Sequence, residues 1–285
     1  MTPDLRQQAI DLYDRFTHEG LPRREFMARM VALTGSLAAA EALVGSISAS
    51  PAAAAIVPED DRRLTTREQV VAGTRAYVAE PRSRSLKPTV IVVHENRGLN
   101  AHIRDVARRL AVAGYRAVAP DFLTPLGGTP ADEDKARELI GKLDLAQASA
   151  AGVAMARELA KGSRGGKVGA VGFCWGGAYV NRLAVDAGSD LDAGVVYYGT
   201  APSPSQATRV QAPLLIHCAG LDTRVNQTAF PWVEALRAAG RKVTFHLYDG
   251  VNHAFHNDTS AERYNKAAAE LSWQRTLAFF KRNLG

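Results

Sequence analysis

The chain reads as an α/β fold in which a mainly parallel β-sheet carries helices on both faces. Three observations support this. Short apolar runs alternate with helix-period segments from residue 70 to the end, as crossover units between parallel strands require. Thr89–His94 (TVIVVH) is apolar almost throughout, the pattern of a strand covered on both faces. Lys167–Gly172 (KVGAVG) runs directly into Phe173-Cys174-Trp175-Gly176-Gly177, a turn that leads from a strand into a helix.

Val70–Ala79 has strand composition and follows a Pro- and charge-rich linker at 56–68. After the buried strand, residues 101–113 place Ile103, Val106, Leu110 and Ala113 on one helical face, and Gly114 follows as a stop. Arg116–Pro120 is the next strand. A loop with Pro125, Gly127, Gly128 and Pro130 precedes helical patterns through Leu139 and over 144–160. Strand 167–172 and helix 175–187 come next, followed by strands Ala193–Tyr198 and Pro213–Cys218. Helix Val225–Ala239, strand Val243–Tyr248 and helix Ala261–Asn283 complete a single catalytic domain over 56–285.

Residues 1–55 differ from the rest. A polar amphipathic helix over 4–17 precedes Arg23-Arg24-Glu25-Phe26-Met27, an apolar stretch from Met30 to Ala49, and a small-residue tail at 48–55. Paired arginines before such a stretch resemble a twin-arginine export signal, with a periplasmic product and processing near Ala53–Ala55. The alternative is a cytoplasmic protein that keeps a helical N-terminal extension. Glu41 interrupts the apolar stretch, which is too short for a stable membrane anchor.

Apolar residues make up 46% of the chain and charged residues 22%, which supplies a large core and excludes global disorder. The net charge is +6, but Lys and Arg are scattered without a basic block, which argues against nucleic-acid binding. Two cysteines, Cys174 and Cys218, are too few for a disulfide framework, and their predicted strands hold them apart. The sequence shows no zinc-type spacing, metal-ligand cluster, or nicotinamide, flavin or phosphate loop. The expectation is a monomer without metal or cofactor, acting on a small molecule.

The chemistry gathers at Gly172-Phe173-Cys174-Trp175-Gly176. Between a strand and a helix, G-x-C-x-G forms a nucleophile elbow, with glycines where a Cβ would clash. The helix N-terminus then favours a thiolate on Cys174. Asp222 follows strand 213–218, and His253 follows strand 243–248. Nucleophile, acid and histidine in that order are the pattern of the α/β-hydrolase fold. His253 would take the thiol proton, and Asp222 would hold the imidazole in one tautomer. His256, three residues on, is the rival base. His94 precedes the nucleophile in the chain, and His217 and His246 lie inside strands.

From about residue 65 to the end, the sequence resembles the dienelactone hydrolase family. The blocks are VIVVHENRG (90–98), YRAVAPD (115–121), KVGAVGFCWGG (167–177), YYG (197–199), GLD (220–222) and Tyr248-x-Gly-x-x-His253-Ala-Phe255. The resemblance implies Cys174, Asp222 and His253 as a triad cleaving an ester or lactone. It also implies that Glu95 contacts the resting thiol until substrate binds. The backbone N–H groups of Trp175 and Asn96 would form the oxyanion hole. Arg97, Tyr198, Arg224 and His256 are candidate substrate contacts. Relatives acting on dienelactone hold its carboxylate with an arginine close after the catalytic histidine. Here that stretch reads His253-Ala254-Phe255-His256-Asn257, so neutral esters or lactones are expected to compete well with anionic ones. The alternatives are a general carboxylesterase or acyl transferase with the same triad, and a thiol-based redox sensor or binding protein.

Overall fold

In a computed structural model describing residues 3–48, 55–83 and 85–285, the strands are Leu64–Val71 (β1), Thr74–Pro81 (β2), Thr89–Val93 (β3) and Arg116–Pro120 (β4). Val168–Phe173 (β5), Ala193–Tyr197 (β6), Leu214–Ala219 (β7) and Val243–Tyr248 (β8) follow. They form one sheet in the order β1-β2-β4-β3-β5-β6-β7-β8. β1 and β2 run antiparallel to each other, β2 runs antiparallel to β4, and the remaining pairs are parallel. The carboxyl ends of β3, β5, β6, β7 and β8 therefore meet along one edge.

Helices cover both faces. On one side Val106 and Leu110 of Ala101–Val112 (α4) pack with Phe280 and Leu284 of Lys266–Leu284 (α9). On the other, Met155 of Leu145–Lys161 (α6), Leu183 of Trp175–Asp186 (α7) and Trp232 of Thr223–Ala238 (α8) share a second apolar layer. The short helix Glu133–Ile140 (α5) lies over the site edge, where Ile140 packs with Leu123.

One sequence expectation needs correction. Val70–Ala79 is the inner part of a hairpin rather than one strand, because Val71 pairs with Thr74 across Ala72-Gly73. Both turn residues have positive φ, 47° and 79°, as a tight two-residue turn of matching twist demands. Alanine in the first turn position gives no such signal in the sequence. The apolar stretch from Met30 is likewise divided, into Arg23–Thr34 (α2) and Leu37–Ile47 (α3), bent by 108°. Gly35 stops the first helix in a left-handed conformation, and Ser36 caps the second through its hydroxyl. Among the described residues, no single helix is long and apolar enough to cross a membrane.

With Pro3–His18 (α1), these two helices bury a small core of their own that includes Ile10, Tyr13, Phe26, Met30 and Ile47. The unit is tied to the sheet edge. Ser260 and Arg263 donate to the Ile47 carbonyl, Gln7 bonds Asn252, Arg6 pairs with Glu262, and Arg23 pairs with Asp134. Of the expected processing point, Ala53 and Ala54 lie outside the described residues.

Two glycine replacements should separate space from propensity. A Cβ on Gly172 would sit 2.0 Å from the Gly176 carbonyl oxygen, whereas one on Gly45 in α3 would meet nothing within 4 Å. Gly172→Ala should therefore destabilise the fold by about 3 kcal/mol or more. Gly45→Ala should stabilise it by roughly 0.5–1 kcal/mol. Thermal unfolding of both variants checks the pair.

Candidate active site

β5 ends at Phe173, and Cys174 takes φ 55° and ψ −113° before α7 begins at Trp175. The backbone reverses so tightly that only glycine fits on either side. A Cβ on Gly176 would lie 2.4 Å from the Val93 carbonyl oxygen. The Cys174 side chain is held at the sheet edge beside the N-terminal end of α7.

The loop after β7 brings in Asp222, which does two jobs. One carboxylate oxygen caps α8 by accepting from the Val225 N–H at 3.1 Å, and the other lies 2.5 Å from His253 Nδ1. Asp222, His253 and Cys174 are all buried. Burial alone would lower the His253 pKa, but the Asp222 carboxylate and Cys174 outweigh it and raise the value to about 10. The same pair holds Asp222 below its ordinary range against the effect of burial, chiefly through His253. His253 Nε2 is buried without a hydrogen-bond partner among the described residues.

Glu95 follows β3 and is buried. Asn257 Nδ2 donates to its Oε2 at 2.8 Å, while Oε1 has no hydrogen-bond partner among the described residues. Asn96 and Trp175 stand together on the wall of a cavity of about 250 Å³ that opens beside Cys174. Tyr198, with φ 38°, lines this cavity, and its hydroxyl is buried without a hydrogen-bond partner among the described residues. Arg224 also lines it and forms no ion pair or hydrogen bond among the described residues. Arg97 reaches a smaller adjoining cavity of about 20 Å³, but its guanidinium is committed to Glu133 and the Tyr13 hydroxyl. His256 is not brought to either cavity. Its ring stacks 5.2 Å from Phe173 and packs 5.6 Å from Trp273, and burial pushes its pKa well down.

Sequence reasoning missed several residues. His18, at the end of α1, packs its ring 4.7 Å from that of His253. Thr17 accepts from Asn96 Nδ2 through its carbonyl at 3.3 Å, and Asp14 lies 3.4 Å from Arg263. Arg263 lines the smaller cavity and Arg137 the larger. No local pattern marks these residues, since most belong to a segment that reads as a leader. Donor atoms of His18, Cys174 and His253 lie within 4.8 Å of one another, although the residues are far apart in the chain.

The raised His253 pKa has a consequence for stability. Its folded value, about 10, exceeds the ordinary 6.5, so the stabilisation from the charged pair is complete below pH 6.5. It is lost as the pH rises through about 10. The Asp222 contribution is lost only in acid, as the pH falls through its lowered pKa. Denaturant unfolding between pH 6.5 and 10 should show a decline in the natural chain that His253→Gln flattens.

Comparison with known proteins identifies the family. Residues 74–284 match the model of the dienelactone hydrolase family. A candidate carboxymethylenebutenolidase of Escherichia coli O157:H7 is 34% identical over 260 residues, covering 82% of this chain and 93% of its own. A crystal structure of a candidate dienelactone hydrolase from Klebsiella pneumoniae superposes with a TM-score of 0.70 at 31% identity, covering 77% of this chain and 99% of that one. A dienelactone hydrolase-like promiscuous phosphotriesterase from metagenomic libraries gives 0.67 at 25% identity, over 78% of this chain and all of that one. With its strand order, its cysteine elbow and a family match over most of its length, the chain belongs to the dienelactone hydrolase family.

Proposed function

We propose that this carboxylic ester hydrolase cleaves a small ester or lactone through a thioester on Cys174, with His253 as base and Asp222 as its orienting acid. The observation that carries the reading is the buried line from Asp222 through His253 to Cys174, set on a strained turn at the sheet edge. His253 Nε2 takes the Sγ proton, and the thiolate attacks the carbonyl carbon. The N–H groups of Trp175 and Asn96 stabilise the oxyanion, and the alkoxide leaves with the proton from His253. Water, deprotonated by His253, then cleaves the thioester to release the acid and restore the thiol.

Glu95 fits the role of a competing partner for the resting thiol. Asn257 anchors one oxygen, and the other has no partner among the described residues beside the cavity that Cys174 also lines. A thiol bonded to Glu95 is shielded from oxidation until substrate disturbs the contact.

The walls of the larger cavity bear on the substrate. They carry Arg137 and Arg224 and no carboxylate, and Arg137 is already paired with Asp134. Arg224 therefore supplies the positive charge that the sequence lacks after His253. This lining favours an anionic ester or lactone, contrary to the sequence expectation. A volume near 250 Å³ suits a small molecule. The sensor reading finds little support, because Cys218 is buried in β7 and its thiol is pushed up to about 12 by burial.

For residues 1–55, the paired arginines support export, whereas the contacts of α1–α3 with the sheet edge favour retention in the working enzyme. N-terminal sequencing of the natural protein decides between them. A terminus near Ala53–Ala55 supports removal, and one at Met1 supports retention.

Cys174→Ala should remove turnover without unfolding the chain, and iodoacetamide should label Cys174 before Cys218. His253→Ala should lose roughly 10³–10⁶ in kcat, while His256→Ala should act mainly on stability. Equal activity in Cys174→Ala would end the thiol mechanism. Arg224→Ala should raise KM for an anionic lactone about 10–150-fold, the effect of one charge-assisted hydrogen bond, and leave a neutral ester almost unaffected. Steady-state kinetics on the two substrates provide the measurement.

A further inference from the structure

The geometry points to a thiophilic divalent-cation site, most suited to zinc, formed by His18, Cys174 and His253 and acting as a reversible block on the nucleophile. Its inhibitory consequence rests on the thiol mechanism proposed above. The binding itself does not.

The donors are the first argument. One sulfur and two imidazole nitrogens lie within 4.8 Å of one another. Around a tetrahedral zinc ion such donors are separated by roughly 3.3–3.8 Å, given bond lengths near 2.3 Å to sulfur and 2.0–2.1 Å to nitrogen. Closing the set requires donor shifts of about 1 Å, within the reach of side-chain rotation. A sulfur–nitrogen donor set selects zinc over magnesium or calcium, which prefer oxygen.

The second argument is the surrounding space. His18, Cys174, His253 and Glu95 all line the cavity of about 20 Å³. A space of roughly 10–15 Å³ holds one water, so this one is of the size for a single ion and not for a substrate. Two of its buried polar atoms, His253 Nε2 and Glu95 Oε1, have no hydrogen-bond partner among the described residues. The three protein donors leave a fourth position of a tetrahedral ion to water. The third argument lies behind the site. Asp222 holds His253 Nδ1 at 2.5 Å, the carboxylate–histidine support that fixes the tautomer presenting Nε2 to a metal.

The binding step balances simply. Cys174 and His253 hold one proton between them. The ion takes the sulfur and nitrogen lone pairs, that proton leaves to solvent, and no redox change occurs. With the lone pair in a metal bond, the thiolate cannot attack a carbonyl. His18 comes from α1, so the site exists only while the N-terminal helices are docked.

The test uses the full chain, freed of metal with a chelator and titrated with zinc chloride against a chromogenic competitor. One ion per chain and release of about one proton are expected, together with protection of Cys174 from iodoacetamide. Cobalt(II) in place of zinc should give a thiolate-to-metal charge-transfer band and strong tetrahedral d–d absorption. His18→Ala should weaken zinc binding by at least about 100-fold, since loss of even an outer-shell partner commonly costs 10–100-fold. His18→Cys should restore most of it. Gln7→Ala, which loosens the α1 contact to Asn252 but keeps every donor, should bind nearly as tightly as the natural chain. Unchanged affinity in His18→Ala, or a cobalt spectrum without the thiolate band, would overturn the site and leave the small cavity to a water molecule. Tight binding by a chain that hydrolyses no ester would uphold the site while the hydrolase mechanism failed.

Discussion

At Cys174 the chain leaves β5 with φ 55°, and that local conformation sets what surrounds it. A non-glycine residue accepts positive φ only when its surroundings enforce it. Here the enforcement is steric: Gly172 meets the Gly176 carbonyl, and Gly176 meets the backbone of β3, both closer than any side chain allows. The Cys174 N–H is meanwhile fixed to the Tyr197 carbonyl at 3.0 Å. Cys174 is thus positioned by backbone packing between three parallel strands. The strain is offset by the buried sheet around it.

Electrostatics adds a second layer. Asp222, His253 and Cys174 are all withdrawn from water, where an unpaired charge would be costly. The pair survives because each burial penalty is offset by the other's charge, which moves His253 upward and Asp222 downward. Asp222 is fixed further by capping α8. One carboxylate therefore ties a helix terminus to the imidazole, so helix position and ring orientation cannot vary independently.

The helices α1–α3 make the site a covered one. Tyr13 and Glu133 neutralise Arg97, and Asp14 approaches Arg263 with its own pKa raised by burial. Two of the arginines near the cysteine are thereby occupied by the chain itself. Arg224 is left facing the cavity without an ion pair among the described residues. His18 closes the small cavity from above, with its pKa held well below the ordinary value, first by burial and then by the charge of His253.

The sequence by itself determined the parallel sheet, the elbow at Cys174, and the order in which Asp222 and His253 follow it. Each depends on local signals: apolar runs, glycine where a Cβ cannot fit, and a polar residue just past a strand end. Strand–helix alternation then brings the strand ends to one edge, so local order becomes spatial proximity. The hairpin at Ala72-Gly73 escaped because its turn uses alanine where glycine or asparagine usually gives the signal. His18, Asn257, Arg137 and Arg263 were decided only by tertiary structure. His253, Glu95 and Asp14, which meet His18, Asn257 and Arg263, lie 235, 162 and 249 positions away in the sequence, and no periodicity encodes contacts between the N-terminal helices and a loop. The helical cover itself was legible as an amphipathic helix and an apolar stretch. Where it docks was not, because docking depends on the fit of side chains across two surfaces that each form only after folding.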